Sequence, residues 1–190
     1  MDINTRIVQR ARDLATRVHA GIYRKYIEPP KLYITHPEAV AERASKLSID
    51  IDDRSILTAV GYTHDTLEDP NLKGVFLTYP ELVAETSLVV ASLTLELTNP
   101  SKNFKHLSRA ERKQMDRNHI SMISPEAKIL KMIDRTHNLS EMEGAPIDFL
   151  TLYVSESALL LDAIGEIRHP DYETLYSEFQ FQLDQARKRL

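Results

Sequence analysis

Residues 124–142 read Ser-Pro-Glu-Ala-Lys-Ile-Leu-Lys-Met-Ile-Asp-Arg-Thr-His-Asn-Leu-Ser-Glu-Met, two positions ahead of Gly144. Ser124, Pro125 and Glu126 make a helix start, with a capping hydroxyl, a proline suited to the first helical position and an acid in the first turn. Leu130, Ile133 and His137 then share one helical stripe, and Asp134 borders it four residues after Leu130. The same period recurs along the chain. Ile3, Ile7, Ala11, Leu14 and Val18 mark one stripe. Pro37 opens a second helix running through Ala44 to Leu47, and Ser55 to about His64 reads as a third. Pro80 to about Leu97 reads as one long helix stopped by Asn99-Pro100. Ser108 with Glu111 forms a capping box for a helix to Ile123, and 124–142 follows. Two more helices are expected over about 146–168 and 171–190, with irregular segments at 27–34, 69–79 and 98–107. No strand pattern or internal repeat stands out. The expectation is an all-α protein, a single domain over 1–190, with a core over about 1–145 and additional C-terminal helices over about 146–190.

Composition narrows the chemistry. A chain of 190 residues suits one domain with a real hydrophobic core. The absence of Cys excludes disulfides, thiol nucleophiles and Cys-based zinc or iron–sulfur sites. Five scattered glycines leave no G-x-G-x-x-G or G-x-x-x-x-G-K-[ST] phosphate cradle. A net charge of −4 argues against a nucleic-acid partner, which needs a basic footprint. The start, Met1-Asp2-Ile3-Asn4, shows no signal-peptide pattern, and the apolar run 88–97 is interrupted by Ser92, Thr94 and Glu96. A cytoplasmic protein without a membrane partner is expected.

Thr63-His64-Asp65-Thr66-Leu67-Glu68-Asp69 is the densest cluster of ligand and base types. On a helix Glu68 neighbours both His64 and Asp65, and Asp69 neighbours Asp65. Such groups repel or compete unless a cation sits among them; the plainer reading is a solvated helix end. Asp134 raises a similar question. A carboxylate beside a buried stripe is costly unless paired or metal-bound, and the alternative is an acid at the stripe's edge facing water. Arg135 is adjacent and so poorly placed to pair with it, whereas Asn138, four residues on, shares its face. His36, just before Pro37, is by itself more often a cap or packing residue. With His64, Asp65 and Asp134 it completes two imidazoles and two carboxylates, a set suited to Mn²⁺, Fe²⁺ or Zn²⁺ rather than all-oxygen Ca²⁺. Four such ligands leave positions open for water and substrate, the arrangement of a catalytic ion.

The order His36…His64-Asp65…Asp134 resembles the HD-domain metal-dependent phosphohydrolases. More narrowly, the chain is similar to the hydrolase domain of the RelA/SpoT proteins and to the stand-alone small alarmone hydrolases. Four blocks carry the resemblance over about residues 19–142. His19-Ala20-Gly21-Ile22-Tyr23-Arg24-Lys25 is similar to A-H-x-G-Q-x-R-K, and Tyr33-Ile34-Thr35-His36-Pro37 to Y-I-x-H-P. His64-Asp65-Thr66-Leu67-Glu68-Asp69 is similar to H-D-T-[VL]-E-D, and Ala127 to Leu139 to A-K-x-x-K-x-A-D-R-x-H-N. The chain departs from the pattern in Ile22 for Gln, Ile133 for Ala, Ser140 for a common Arg, and three extra residues around Pro29-Pro30. The resemblance implies that His36, His64, Asp65 and Asp134 hold an ion, usually Mn²⁺. It implies that Glu68 and Asp69 position and deprotonate the attacking water, and that Arg24, Lys25 and Asn138 contact a guanosine nucleotide. The implied reaction is hydrolysis of the 3′-pyrophosphate of ppGpp or pppGpp to GDP or GTP plus pyrophosphate. Two rivals stay open: an HD phosphohydrolase of another nucleotide, such as a nucleoside monophosphate or a 2′-phosphorylated cofactor, and a catalytically silent nucleotide-binding module. Lys25, Lys102, Lys105, Arg109, Arg112 and Lys113 are candidates for offsetting phosphate charge, most of them better read as solvated surface cations.

Overall fold

A computed structural model describes residues 2–68 and 70–190. Among these residues the structure is all-helical: α1 Ile3–Val18, α2 Thr35–Ala44, α3 Ile51–Thr63, α4 Tyr79–Glu85, α5 Leu88–Leu97, α6 Arg109–Met122, α7 Pro125–Ser140, α8 Ile147–Ile164 and α9 Tyr172–Arg187. A 3₁₀ turn over Pro100–Asn103 follows α5. The sheet-like pairing found among the described residues is an isolated antiparallel bridge between Tyr23 and Leu32, the second of which lies in the segment 27–34 expected to be irregular.

Side-chain caps decide where helices begin. Ser108 and Thr78 both close capping boxes, with Glu111 and Glu81 respectively. Ser124 accepts from the Ala127 amide and starts α7 as the sequence predicts. Three expectations shift. The helix expected over 80–97 is two helices, because the Ser87 hydroxyl takes the Val90 amide at 3.2 Å and restarts the chain after Thr86. The third helix begins at Ile51, four residues early, because the Asp50 carboxylate accepts from the amides of Asp52 and Asp53. The second begins at Thr35, so His36 lies within its first turn rather than before it. Pro37 is tolerated there, where its missing N–H would have had no intrahelical acceptor.

Helix α3 packs between α1 and α2, α2 packs in turn on α7, and α7 on α9. Val40, Ala44, Val60, Ile129, Met132, Leu150, Leu175 and Phe179 lie in one buried cluster, so α8 and α9 bury side chains in the same core as α7. Leu14, Val18, Leu82 and Ala91 form a smaller cluster joining α1, α4 and α5. No described helix is long and apolar enough to cross a membrane.

The α2–α3 crossing fixes the site. At Gly61 an added Cβ would lie 2.7 Å from Ala41 Cα and 2.9 Å from its nitrogen, so α3 meets the main chain of α2 with no side chain between them. That approach sets His36 on α2 against His64, the residue that caps the end of α3. Gly61→Ala should therefore push the two helices apart and cost about 1–3 kcal/mol of stability. Thermal or denaturant unfolding of the purified variant measures the loss.

Candidate active site

Four atoms from three helical regions converge. His36 Nε2 lies 3.1 Å from His64 Nε2, 3.1 Å from Asp134 Oδ1 and 3.6 Å from Asp65 Oδ2. His64 Nε2 lies 3.1 Å from Asp65 Oδ2 and 3.7 Å from Asp134 Oδ1. Asp134 projects from α7, which packs on α2. The stripe geometry at Asp134 thus turns its carboxylate inward, and it is only 5% exposed. His36 and His64 are buried as well.

The outer atoms of these groups show what the inner ones are for. His64 Nδ1–H donates to the Gly61 carbonyl at 2.8 Å, so Nε2 is the nitrogen turned to the centre. His36 Nδ1 and His137 Nδ1 share a hydrogen bond at 2.9 Å, and a cation on His36 Nε2 would require His36 to be its donor. Burial, and then the nearby His36, push the His137 pKa down to about 4, so His137 is neutral at ordinary pH and offers one accepting nitrogen. The Tyr33 hydroxyl donates to Asp65 Oδ2 at 2.6 Å, and Asn138 Nδ2 to Asp134 Oδ1 at 2.6 Å. Lys131 Nζ sits 2.9 Å from Asp134 Oδ2, both groups buried.

Electrostatics agree with this layout. Burial works against charge on both aspartates, yet Asp134 is held well below the usual carboxylate range by Lys131 and the two imidazoles, and Asp65 is lowered mainly by His64. Burial also opposes charge on His64, but Asp65 and Asp134 outweigh it and push its pKa up to about 9. The centre therefore favours added positive charge. Two imidazole lone pairs facing each other beside two carboxylates fit a divalent cation. Ligands about 2.1 Å from one ion stand roughly 3.0–3.5 Å apart, the order of the spacings observed.

The other predicted residues are placed as follows. Glu68 is largely buried at the end of the turn after α3. Its Oε1 accepts from the amide and side chain of Asn99 at 3.0 and 2.8 Å, and its Oε2 lies 2.8 Å from Lys102 Nζ. Both Glu68 and Asp65 act on the buried Lys131 ammonium, so Glu68 faces the same charge cluster. Asp69 lies outside the described residues. Arg24 is not splayed toward solvent: its Nη2 donates to Asn138 Oδ1 at 2.9 Å and its Nε to Glu141 Oε2 at 3.1 Å. Lys25 is exposed. Arg135 turns to α8, donating to Ser157 and lying over the Tyr153 ring.

Tyr33, Lys131, His137 and Asn99 had no role in the sequence reading. Lys131 stands three residues before Asp134 and His137 three after it, a helical spacing that a search for partners of Asp134 finds. Asn99 had no such signal, since only the fold brings it to Glu68.

The HD-domain family model matches residues 33–139, a span from Tyr33 to Leu139 that encloses all four converging groups. The chain belongs to the HD-domain family. The chain is also similar to guanosine-3′,5′-bis(diphosphate) 3′-pyrophosphohydrolase of Xenopus tropicalis, 30% identical over 144 residues, 75% of this chain and 73% of the relative. A probable GTP pyrophosphokinase of Mycobacterium leprae is 32% identical over 145 residues, 75% of this chain but only 17% of that much longer protein. Among solved structures, one described as a metazoan ortholog of SpoT that hydrolyzes ppGpp matches 93% of this chain and 94% of its own, with TM-score 0.73. At 18% identity that likeness is one of fold.

The buried Lys131–Asp134 pair gives a direct test of the site's charge balance. Lys131→Met leaves Asp134 Oδ2 without its cation and should cost about 3–5 kcal/mol. Denaturant unfolding of the metal-free protein measures it.

Proposed function

We propose that this protein hydrolyses the 3′-pyrophosphate of guanosine alarmones, taking ppGpp or pppGpp to GDP or GTP plus pyrophosphate, with Mn²⁺ as its ion. The observation that carries the reading is that His36 Nε2 and His64 Nε2 lie 3.1 Å apart, each within 3.1–3.7 Å of a carboxylate oxygen of both Asp65 and Asp134. The substrate follows from the similarity to a guanosine-3′,5′-bis(diphosphate) 3′-pyrophosphohydrolase over three quarters of the chain.

A divalent ion held by these four residues supplies Lewis-acid polarisation of a phosphoryl oxygen and lowers the pKa of the attacking water. The chain's own residues do the rest. Glu68 takes the proton of that water, its carboxylate fixed in place by Asn99 and Lys102. Asp69, next in sequence, orients the same water. The water oxygen bonds to phosphorus as the bond from phosphorus to the ribose 3′ oxygen breaks, and the 3′ oxygen regains a proton. Lys131 and Lys102 place two ammonium groups at the charge cluster where negative charge builds up. Arg24 and Asn138, joined to each other at 2.9 Å, and the exposed Lys25 are assigned the contacts to the guanosine nucleotide.

Asp65→Ala should abolish both Mn²⁺ binding and turnover, read by metal analysis after dialysis and by pyrophosphate release. Glu68→Gln should keep the ion and slow turnover by a factor on the order of 10²–10⁴. Incubation of the Mn²⁺-loaded protein with ppGpp, pppGpp, nucleoside monophosphates and a 2′-phosphorylated cofactor tests the substrate. Hydrolysis confined to the last two groups overturns the alarmone assignment.

A further inference from the structure

Glu141 caps the C-terminal end of α7, one turn beyond His137, and the family resemblance assigns it nothing. Its side chain is only 13% exposed, yet it gathers cations from a distant segment. Oε2 accepts from Arg24 Nε at 3.1 Å and lies as close to Arg24 Nη2, while Oε1 takes Lys31 Nζ at 3.1 Å. The Arg24 amide in turn donates to the Lys31 carbonyl at 2.9 Å, and the Gly144 amide to the Tyr26 carbonyl at 3.1 Å. The segment carrying Pro29-Pro30 is therefore pinned to the end of α7 with Glu141 as its anion.

From Arg24 the contacts run inward. Arg24 Nη2 donates to Asn138 Oδ1 at 2.9 Å, and Asn138 Nδ2 donates to Asp134 Oδ1 at 2.6 Å. A side-chain amide has one accepting end and one donating end. A guanidinium has only donors, so Arg24 compels Asn138 to turn its oxygen outward and its NH₂ toward the carboxylate. The opposite orientation would set a carbonyl oxygen against Asp134. A guanidinium only 8% exposed needs a carboxylate of its own to stay there, and Glu141 is that carboxylate. The same Oε2 lies 3.8 Å from His137 Nδ1, the atom that shares a hydrogen bond with His36.

We infer that Glu141 is a positioning residue for the candidate metal centre: it holds Arg24, which fixes the Asn138 amide, which orients Asp134. The inference rests on reading the centre as a metal site but not on the identity of the substrate. Outer partners of this kind alter metal affinity by about 10–100-fold when removed.

The test is Mn²⁺ titration of the metal-free full-length protein, with circular dichroism confirming that each variant is folded. Glu141→Ala should weaken Mn²⁺ binding at least about tenfold, and Glu141→Gln, which keeps an accepting oxygen, should recover part of that loss. Arg24→Leu should weaken it similarly. The double variant should be no weaker than Arg24→Leu alone, because the two residues act in series. Parental affinity in both Glu141 variants, or losses that multiply in the double variant, overturns the inference. If Glu141→Ala does not fold, Glu141→Gln against the parent decides: a loss supports the inference and an unchanged affinity overturns it. A protein that binds Mn²⁺ with the expected coupling yet leaves ppGpp intact would sink the proposed activity and leave this inference standing.

Discussion

Two imidazole nitrogens that face each other at 3.1 Å, with a carboxylate oxygen on either side, are tolerable in a buried place only if something positive lies between them. In the bare protein that role falls partly to a proton, which is why His64 is pushed up to about 9. Lys131, buried against Asp134, supplies a second positive charge from the other side. The rest of the centre answers this constraint. The outer nitrogens of the two imidazoles are tied to the Gly61 carbonyl and His137 and the outer Oδ2 of Asp134 to Lys131, while Tyr33 and Asn138 bond the inward oxygens of Asp65 and Asp134 themselves. The inner atoms are thereby left to converge.

The helices that deliver these groups are otherwise ordinary. Helix α2 carries His36 in its first turn, where side chains project past the helix start, and α3 ends as His64 and Asp65 begin. Helix α7 lays Leu130 and Ile133 into the core and swings Asp134 to the edge facing α2. About two turns of α7 then carry Lys131, Asp134, His137 and Asn138 into a single network at the i, i+3 and i+4 spacings. Local helical geometry thus does much of the assembly, and tertiary packing supplies the remaining step of bringing α2 and α3 against it.

Much of this was legible from residue order. The stripe at 124–142 set Asp134 at its border, where the acid could turn inward or to water, and the caps at Ser108 and Ser124 marked helix starts that the structure keeps. What escaped notice has physical causes. Ser87 interrupts a run whose periodicity continues across it, because a hydroxyl in reach of a backbone amide competes with the helix locally. Asp50 starts α3 early through its carboxylate, although the apolar stripe begins only later. Arg24 looked like a group open to a nucleotide. Its partners Asn138 and Glu141 lie more than a hundred positions away, and no local pattern announces such a pairing. The Glu68–Asn99 contact is hidden for the same reason.

The contact of Gly61 with Ala41 sets the bore of the candidate ion site. The span between the two histidines is set there by backbone clearance rather than by the fit of interior side chains. Volume-conserving exchanges among the leucines and valines beneath it can reshape the interior without widening or narrowing that aperture. The discrimination among cations then rests on the chemistry of the donor atoms, while the dimension of the ring they form belongs to the crossing of two helices.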